Sequence, residues 1–267
     1  MATRICFLSD TDEFSEKSLE QVSLQLREMD ADFLLAHVVD SGFSADLPSL
    51  VQATENTLID MALRVLPEDR FYRVSVATGD ILEALPELVR EEGCSLVVIP
   101  GRPEESFIPL VRVLTVPQLL LRGDAGASPV PLLSHIVIPV DLTLTRTYAI
   151  LTQLRELLES VGVPERITLL HCVRLDEPET SQDLVNSASE AMERVLADVL
   201  AWDIPAEGVI LSGNPAVECA PKIAELDPSL LVIGLSRMGE LLQIVLGSTG
   251  EALVEDTSCP ALILPVN

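Results

Sequence analysis

The sequence predicts an α/β protein built from two tandem doubly wound domains, each a mostly parallel five-stranded sheet with helices on both faces. Three observations predict it. The 267-residue chain repeats its landmarks at an interval of about 133 residues. Each half alternates short apolar runs with longer segments of helical period. Capping residues stand where the periodic segments begin.

The repeat sets the frame. Ile5-Cys-Phe-Leu-Ser-Asp10 corresponds to Ile136-Val-Ile-Pro-Val-Asp141, with His37 and His171, Gly79 and Gly213, and Gly101 and Gly234 following in the same order. The first pair is offset by 131 residues and the others by 133 or 134. The join falls in Arg122-Gly-Asp-Ala-Gly-Ala-Ser-Pro-Val-Pro131, small and proline-rich as linkers are. The predicted domains are residues 1–124 and 132–267.

The elements follow in order. Ile5 to Asp10 reads as a buried strand. Ser15 to Met29 reads as a helix, with Leu19, Val22, Leu26 and Met29 on one face. Phe33 to Val38 and Val74 to Gly79 are the next strands. Asp80, followed three places on by Glu83, caps a helix over Ile81 to Arg90. Leu96 to Gly101 and Gln118 to Arg122 complete the first sheet. In the second half Ile136 to Asp141 leads into a helix over Thr145 to Val161, with Tyr148, Leu151, Leu154 and Leu158 on its apolar face. Strands follow at Thr168 to Val173 and Val209 to Gly213. Asn214 with Pro215 then starts a helix over Ala216 to Leu226. Leu231 to Gly234 and Ala261 to Pro265 are the last strands. Apolar runs without alternation mark strands buried on both faces, and strand–helix alternation makes the sheets parallel.

Composition narrows the function. Lys and Arg total 17 against 42 Asp and Glu, a formal charge of −25. Such a surface excludes a nucleic-acid binder, whose affinity rests on clustered cations, and argues against docking on anionic lipid. The N-terminal segment lacks the apolar core of a secretory signal, and Ala125 to Val140, the longest charge-free stretch, is interrupted by Gly126, Pro129, Pro131 and Pro139. The five cysteines are scattered and set in apolar runs, as in a reducing compartment. A cytoplasmic protein is expected.

Ligands of open α/β sheets bind beyond the carboxyl ends of the strands. The strongest local pattern there is Gly234-Leu-Ser-Arg237, nine residues, then Gly247-Ser248-Thr249-Gly250. A glycine after a strand admits close backbone approach to a phosphate, and Gly-Ser-Thr at a helix start supplies hydroxyls and the positive dipole end. The plainer reading is a strand terminator and a capping box, Ser248 with Glu251, worth about 1 kcal/mol with or without a ligand.

With Asp141, Leu170-His171-Cys172-Val173, Gly213 and Cys259-Pro260-Ala-Leu-Ile-Leu-Pro265 in sequence around that motif, the second half resembles a universal stress protein domain. The whole chain resembles the family's tandem members. The resemblance implies an adenine-nucleotide site in the second half, for ATP or AMP with accompanying magnesium. Pro139, Val140 and Asp141 would lie beside adenine and ribose, and Cys172 would line the adenine slot. Ile233 and Gly234 would edge the ribose and phosphates, and Gly247, Ser248 and Thr249 would hold the phosphates. Arg237 departs from the family's pattern, standing where its motif has a second glycine; it either contacts phosphate or fills the slot. The first half departs further. Gly101 to Pro117 is ten residues shorter than Gly234 to Pro260, losing the Gly-Ser turn, and Glu104 and Glu105 stand where phosphates would lie. That half is expected to be an empty structural copy.

No other residues make a catalytic set. His37 and His171 are a duplicated pair of packing histidines, His135 lies at the linker edge, Asp176-Glu177-Pro178-Glu179 reads as a solvated loop, and Trp202 packs at a helix end. The expectation is a stress-response regulator without turnover of its own, at most a slow ATPase. The alternatives are a nucleotide-independent scaffold and a regulatory domain recruiting a protein partner such as a membrane transporter. The resemblance also implies that Gln118 to Arg122 and Ala261 to Pro265 pair as an intrachain pseudo-dimer, covering strands otherwise prone to self-association or homodimer formation.

Overall fold

The structure is a computed structural model that describes residues 3–27, 29–40, 42, 46–102, 105–122, 131–174, 181–238, 243–244 and 248–266. The chain divides into two compact units, Met1–Pro129 and Val130–Asn267.

The first unit runs β1 (Thr3–Leu8), α1 (Glu13–Gln25), β2 (Ala31–Val39), α2 (Leu47–Val65), β3 (Tyr72–Thr78), α3 (Ile81–Glu91), β4 (Leu96–Gly101), α4 (Ile108–Val113) and β5 (Gln118–Arg122). Its strands pair in the order β3-β2-β1-β4-β5, all parallel. The second runs β6 (Ile136–Pro139), α5 (Leu144–Val161), β7 (Ile167–Val173), α6 (Ser181–Leu200), β8 (Ala206–Ser212), α7 (Pro215–Leu226), β9 (Leu230–Met238), β10 (Gln243–Ile244), α8 (Ser248–Asp256) and β11 (Ala261–Val266). Its order is β8-β7-β6-β9-β11, again parallel, with β10 antiparallel to β9. Reading β6, β7, β8, β9 and β11 for β1 to β5 makes the two orders identical. Each unit is a parallel sheet with helices on both faces.

Burial explains why these segments are strands. Ile5, Cys6 and Phe7 in β1 and Ile136, Val137 and Ile138 in β6 are fully buried, as central strands covered on both faces require. The helix starts match the sequence signals. Asp80 accepts from the Leu82 amide at 2.7 Å and Asn214 from the Ala216 amide at 3.1 Å. Gly79 (φ 124°) and Gly213 (φ 143°) precede them in backbone conformations that side chains rarely adopt.

Some details differ from the sequence reading. α1 ends at Gln25, so the buried Leu26 and Met29 belong to the turn after it. The buried stripe of α5 is Thr147, Ile150, Leu151, Leu154 and Leu158, which leaves Tyr148 at its margin with its hydroxyl donating to Asp198. β9 continues past Gly234 to Met238 and forms a short hairpin with β10, where the sequence suggested a loop. α8 begins at Ser248 itself, one position earlier than a capping role for that serine requires. The acidic run Asp176 to Glu179 and residues 123–130 of the join lie outside the described residues.

Each unit turns from its first strand into its first helix through a strained residue. Thr11 (φ 61°) and Leu142 (φ 58°) both occupy the left-handed region, immediately after Asp10 and Asp141.

Candidate functional site

In the second unit a cavity of about 460 Å³ opens over the carboxyl ends of β6, β7 and β9. It lies where doubly wound sheets place their ligands, and its volume falls within the range of small-molecule sites, roughly 300–1,000 Å³. Pro139, Val140 and Asp141 reach it from the end of β6, and Cys172 from β7. Ile233 and Gly234 reach it from β9, and Thr249 from the first turn of α8. Seven of the ten residues singled out in the sequence therefore line one cavity. Arg237 lies in β9, where its backbone pairs with Ile244. Ser248 starts α8. Gly247 and the side chains of Arg237 and Ser248 lie outside the described residues.

Asp141 is half-exposed and fully engaged. One oxygen accepts from the Thr143 amide at 2.9 Å, the other from Arg146 Nη1 at 2.6 Å. His171 Nδ1 lies 2.8 Å from the Val140 carbonyl, so that nitrogen donates, as His37 Nδ1 does to the Ser9 carbonyl at 2.5 Å. The duplicated histidines thus tie the second strand of each unit to the end of the first. This supports their reading as packing residues, although His171 also lines the cavity.

The thiols are inert by environment. Burial, then the charge of Glu218, raises the Cys172 pKa, and burial with Cys172 alongside pushes Cys219 up to about 11. Both stay protonated near neutral pH and offer soft neutral surface rather than a nucleophile.

Gly234 has a packing role that spacing did not show. A Cβ there would lie 2.3 Å from both Cδ1 and Cγ1 of Ile150, so the α5 side chain lies against the strand where the glycine leaves room. The corresponding Gly101 is covered more severely: its Cβ would lie 1.9 Å from Phe107 Cζ. Phe107 is buried, and Arg122 stacks on its ring at 4.6 Å. Nearby, Arg102 pairs with Asp12 and Glu105. Burial, Glu105 and Asp12 raise the Asp10 pKa, opposed by His37 and Arg102. The first-unit position equivalent to the cavity therefore holds an aromatic ring and a carboxylate-rich cluster.

Sequence reasoning missed Arg146, Ile150, Cys219, Leu253 and Gly250 among the lining residues. His135 was also misplaced. It is 3% exposed, its Nε2 bonded to Thr168 Oγ1 at 2.9 Å and its amide to Ser229 Oγ at 2.8 Å. Among the described residues no group of three or more His, Cys, Asp or Glu side chains could hold a metal ion, and no helix is long and apolar enough to cross a membrane.

The family model described as the universal stress protein family matches residues 133–265. These residues belong to that family. The universal stress protein domain thus coincides with the unit that carries the cavity. No curated protein matches the sequence. Among solved structures, a universal stress protein from Archaeoglobus fulgidus is 16% identical, with 98% of each chain covered and a TM-score of 0.73. A Pseudomonas aeruginosa protein described as functionally unknown is 15% identical, with 99% of this chain and 93% of its own covered and a TM-score of 0.69. At these identities the likeness is one of fold: universal stress protein architecture over both halves of the chain.

Proposed function

We propose that the universal stress protein domain binds one adenine nucleotide, ATP or AMP with accompanying magnesium, and that the protein is a cytoplasmic stress-response regulator governed by that ligand. The observation that carries this reading is the convergence of Pro139, Val140, Asp141, Cys172, Ile233, Gly234 and Thr249 on a single cavity of about 460 Å³. The residue types suit the parts of a nucleotide. Val140, Ile233 and the neutral Cys172 offer apolar surface for a planar base, and Asp141 offers acceptors to ribose hydroxyls. The first turn of α8 offers backbone amides and the Thr249 hydroxyl to phosphate. The high thiol pKa values fit binding without turnover.

One observation favours a second reading. Ile150 packs over Gly234 and Arg146 occupies Asp141, as in a nucleotide-independent scaffold that recruits a protein partner, such as a membrane transporter, or self-associates. Calorimetric titration with ATP and AMP separates the two. One site per chain, removed by Gly247→Val, supports nucleotide binding. Two sites, no binding, or binding untouched by Gly247→Val overturns it. Arg237→Gly weakens ATP more than adenosine if Arg237 contacts phosphate, and strengthens both if it fills the slot.

A further inference from the structure

Arg146 is the one permanent cation among the described residues that line the cavity. It stands three residues after Thr143, the N-cap of α5. The first unit has Ser15 at the same distance from its own N-cap, Asp12. There the Ser15 hydroxyl is buried and accepts from the Asp10 amide at 3.0 Å. The arginine is therefore a feature of the second unit alone, found in the unit with the open cavity. It is half-exposed, with its guanidinium drawn back onto Asp141 at 2.6 Å. With the Thr143 amide on the other oxygen, neither oxygen of Asp141 is without a donor.

We infer that Arg146 is the residue by which this cavity distinguishes a phosphorylated nucleoside from the bare nucleoside. The inference rests on the nucleotide reading above. A ribose that donates its hydroxyls to Asp141 takes the place of the guanidinium. The freed Arg146 then swings to the phosphate, where its planar fork forms charge-assisted hydrogen bonds. A nucleoside displaces the same ion pair and gives the cation nothing in exchange. Sugar recognition and phosphate recognition are thereby coupled through one side chain, and the Asp141–Arg146 pair acts as the resting position of a two-position clamp. Lysine at this place would keep the charge without the fork, since its ammonium is a compact point charge.

The test is calorimetric titration of the wild type, Arg146→Gln and Arg146→Lys with AMP and with adenosine, at low and moderate salt. The expected result is that Arg146→Gln weakens AMP by about tenfold or more, while adenosine binds as tightly as to the wild type or more tightly. Arg146→Lys falls between the two for AMP. The wild type loses affinity for AMP faster than for adenosine as salt rises, and Arg146→Gln loses that difference. Equal weakening of both ligands, or AMP binding unchanged by Arg146→Gln, overturns the inference and leaves nucleotide binding standing. A wild type that binds neither ligand overturns the nucleotide reading, and this inference with it. Thermal unfolding of the three proteins separates lost recognition from lost fold.

Discussion

Ile150 and Gly234 interlock: the isoleucine side chain of α5 packs into the space that any side chain on that position of β9 would need, 2.3 Å from an added Cβ. The glycine is thus required by helix–sheet packing whether or not a ligand binds. Gly234→Ala is expected to destabilise the second unit by about 1–3 kcal/mol, the usual range for overpacking. Adding Ile150→Val, which removes the Cδ1 methyl, should recover part of that loss. Urea unfolding of the two single variants and the double variant gives the coupling, and strict additivity would show that the two residues do not share the space.

Phe107 does the corresponding work in the first unit. Phe107→Ala removes a buried ring that covers Gly101 and carries the Arg122 guanidinium. A cost of about 3–5 kcal/mol is expected. Chemical denaturation checks it; a cost below about 1 kcal/mol would mean the ring is not part of the core.

His135 should make stability depend on pH. Burial and the Arg166 cation lower its pKa, and the Leu226 carbonyl, Glu207 and Asp227 offset this only in part. The folded state therefore resists protonating a ring that the unfolded chain protonates with a pKa near 6.5. The contribution is fully present above that value. It is lost as pH falls below it and through the lowered folded pKa. Urea unfolding from pH 8 to pH 5 should show stability falling more steeply in the wild type than in His135→Gln. Parallel curves would remove His135 as the cause.

Asp12 combines a cap with an ion pair. It accepts from the Ser15 amide at 2.8 Å and pairs with Arg102. Burial alone would raise its pKa, but the Ser15 bonds and Arg102 outweigh burial and hold it low. Its contribution is present above the ordinary carboxylate pKa and is lost as pH falls through the lowered one. Asp12→Ala should cost about 1 kcal/mol at neutral pH. Asp12→Asn, which keeps the capping oxygen, should cost less and flatten the acid limb of the stability curve, measured by thermal unfolding between pH 7 and pH 3.

The net charge of −25 makes the surface repel itself. Salt screens such charges over about 10 Å at 0.1 M ionic strength. The melting temperature should rise between low and moderate salt, and a flat profile would show that the charges are compensated locally.

The features legible in the sequence were those that backbone geometry forces on residue type. Strand-ending Asp10 and Asp141, left-handed Gly79 and Gly213, and capping Asp80 and Asn214 each follow from one local rule, and duplication displayed each of them twice. Arg146 escaped because its meaning lies in a contact with Asp141 across a turn, which helical periodicity does not report. Ile150 looked like any residue of a buried stripe until the sheet showed which glycine it faces. The ten-residue deletion in the first half was visible, but spacing alone could not show that Phe107 fills the resulting space. His135 was misjudged because proximity to a linker suggested exposure, whereas its partners Thr168 and Ser229 come from segments 33 and 94 residues away.

The paired turns at Thr11 and Leu142 have a practical consequence. Neither is glycine, yet both are held at nearly the same positive φ, 61° and 58°, so the surrounding scaffold dictates the bend and the resident side chain merely tolerates it. Segments bent alike by their surroundings are interchangeable parts. Transplanting residues 141–146 into the place of 10–15 would carry Asp141, its kinked neighbour and Arg146 together onto a second, closed scaffold.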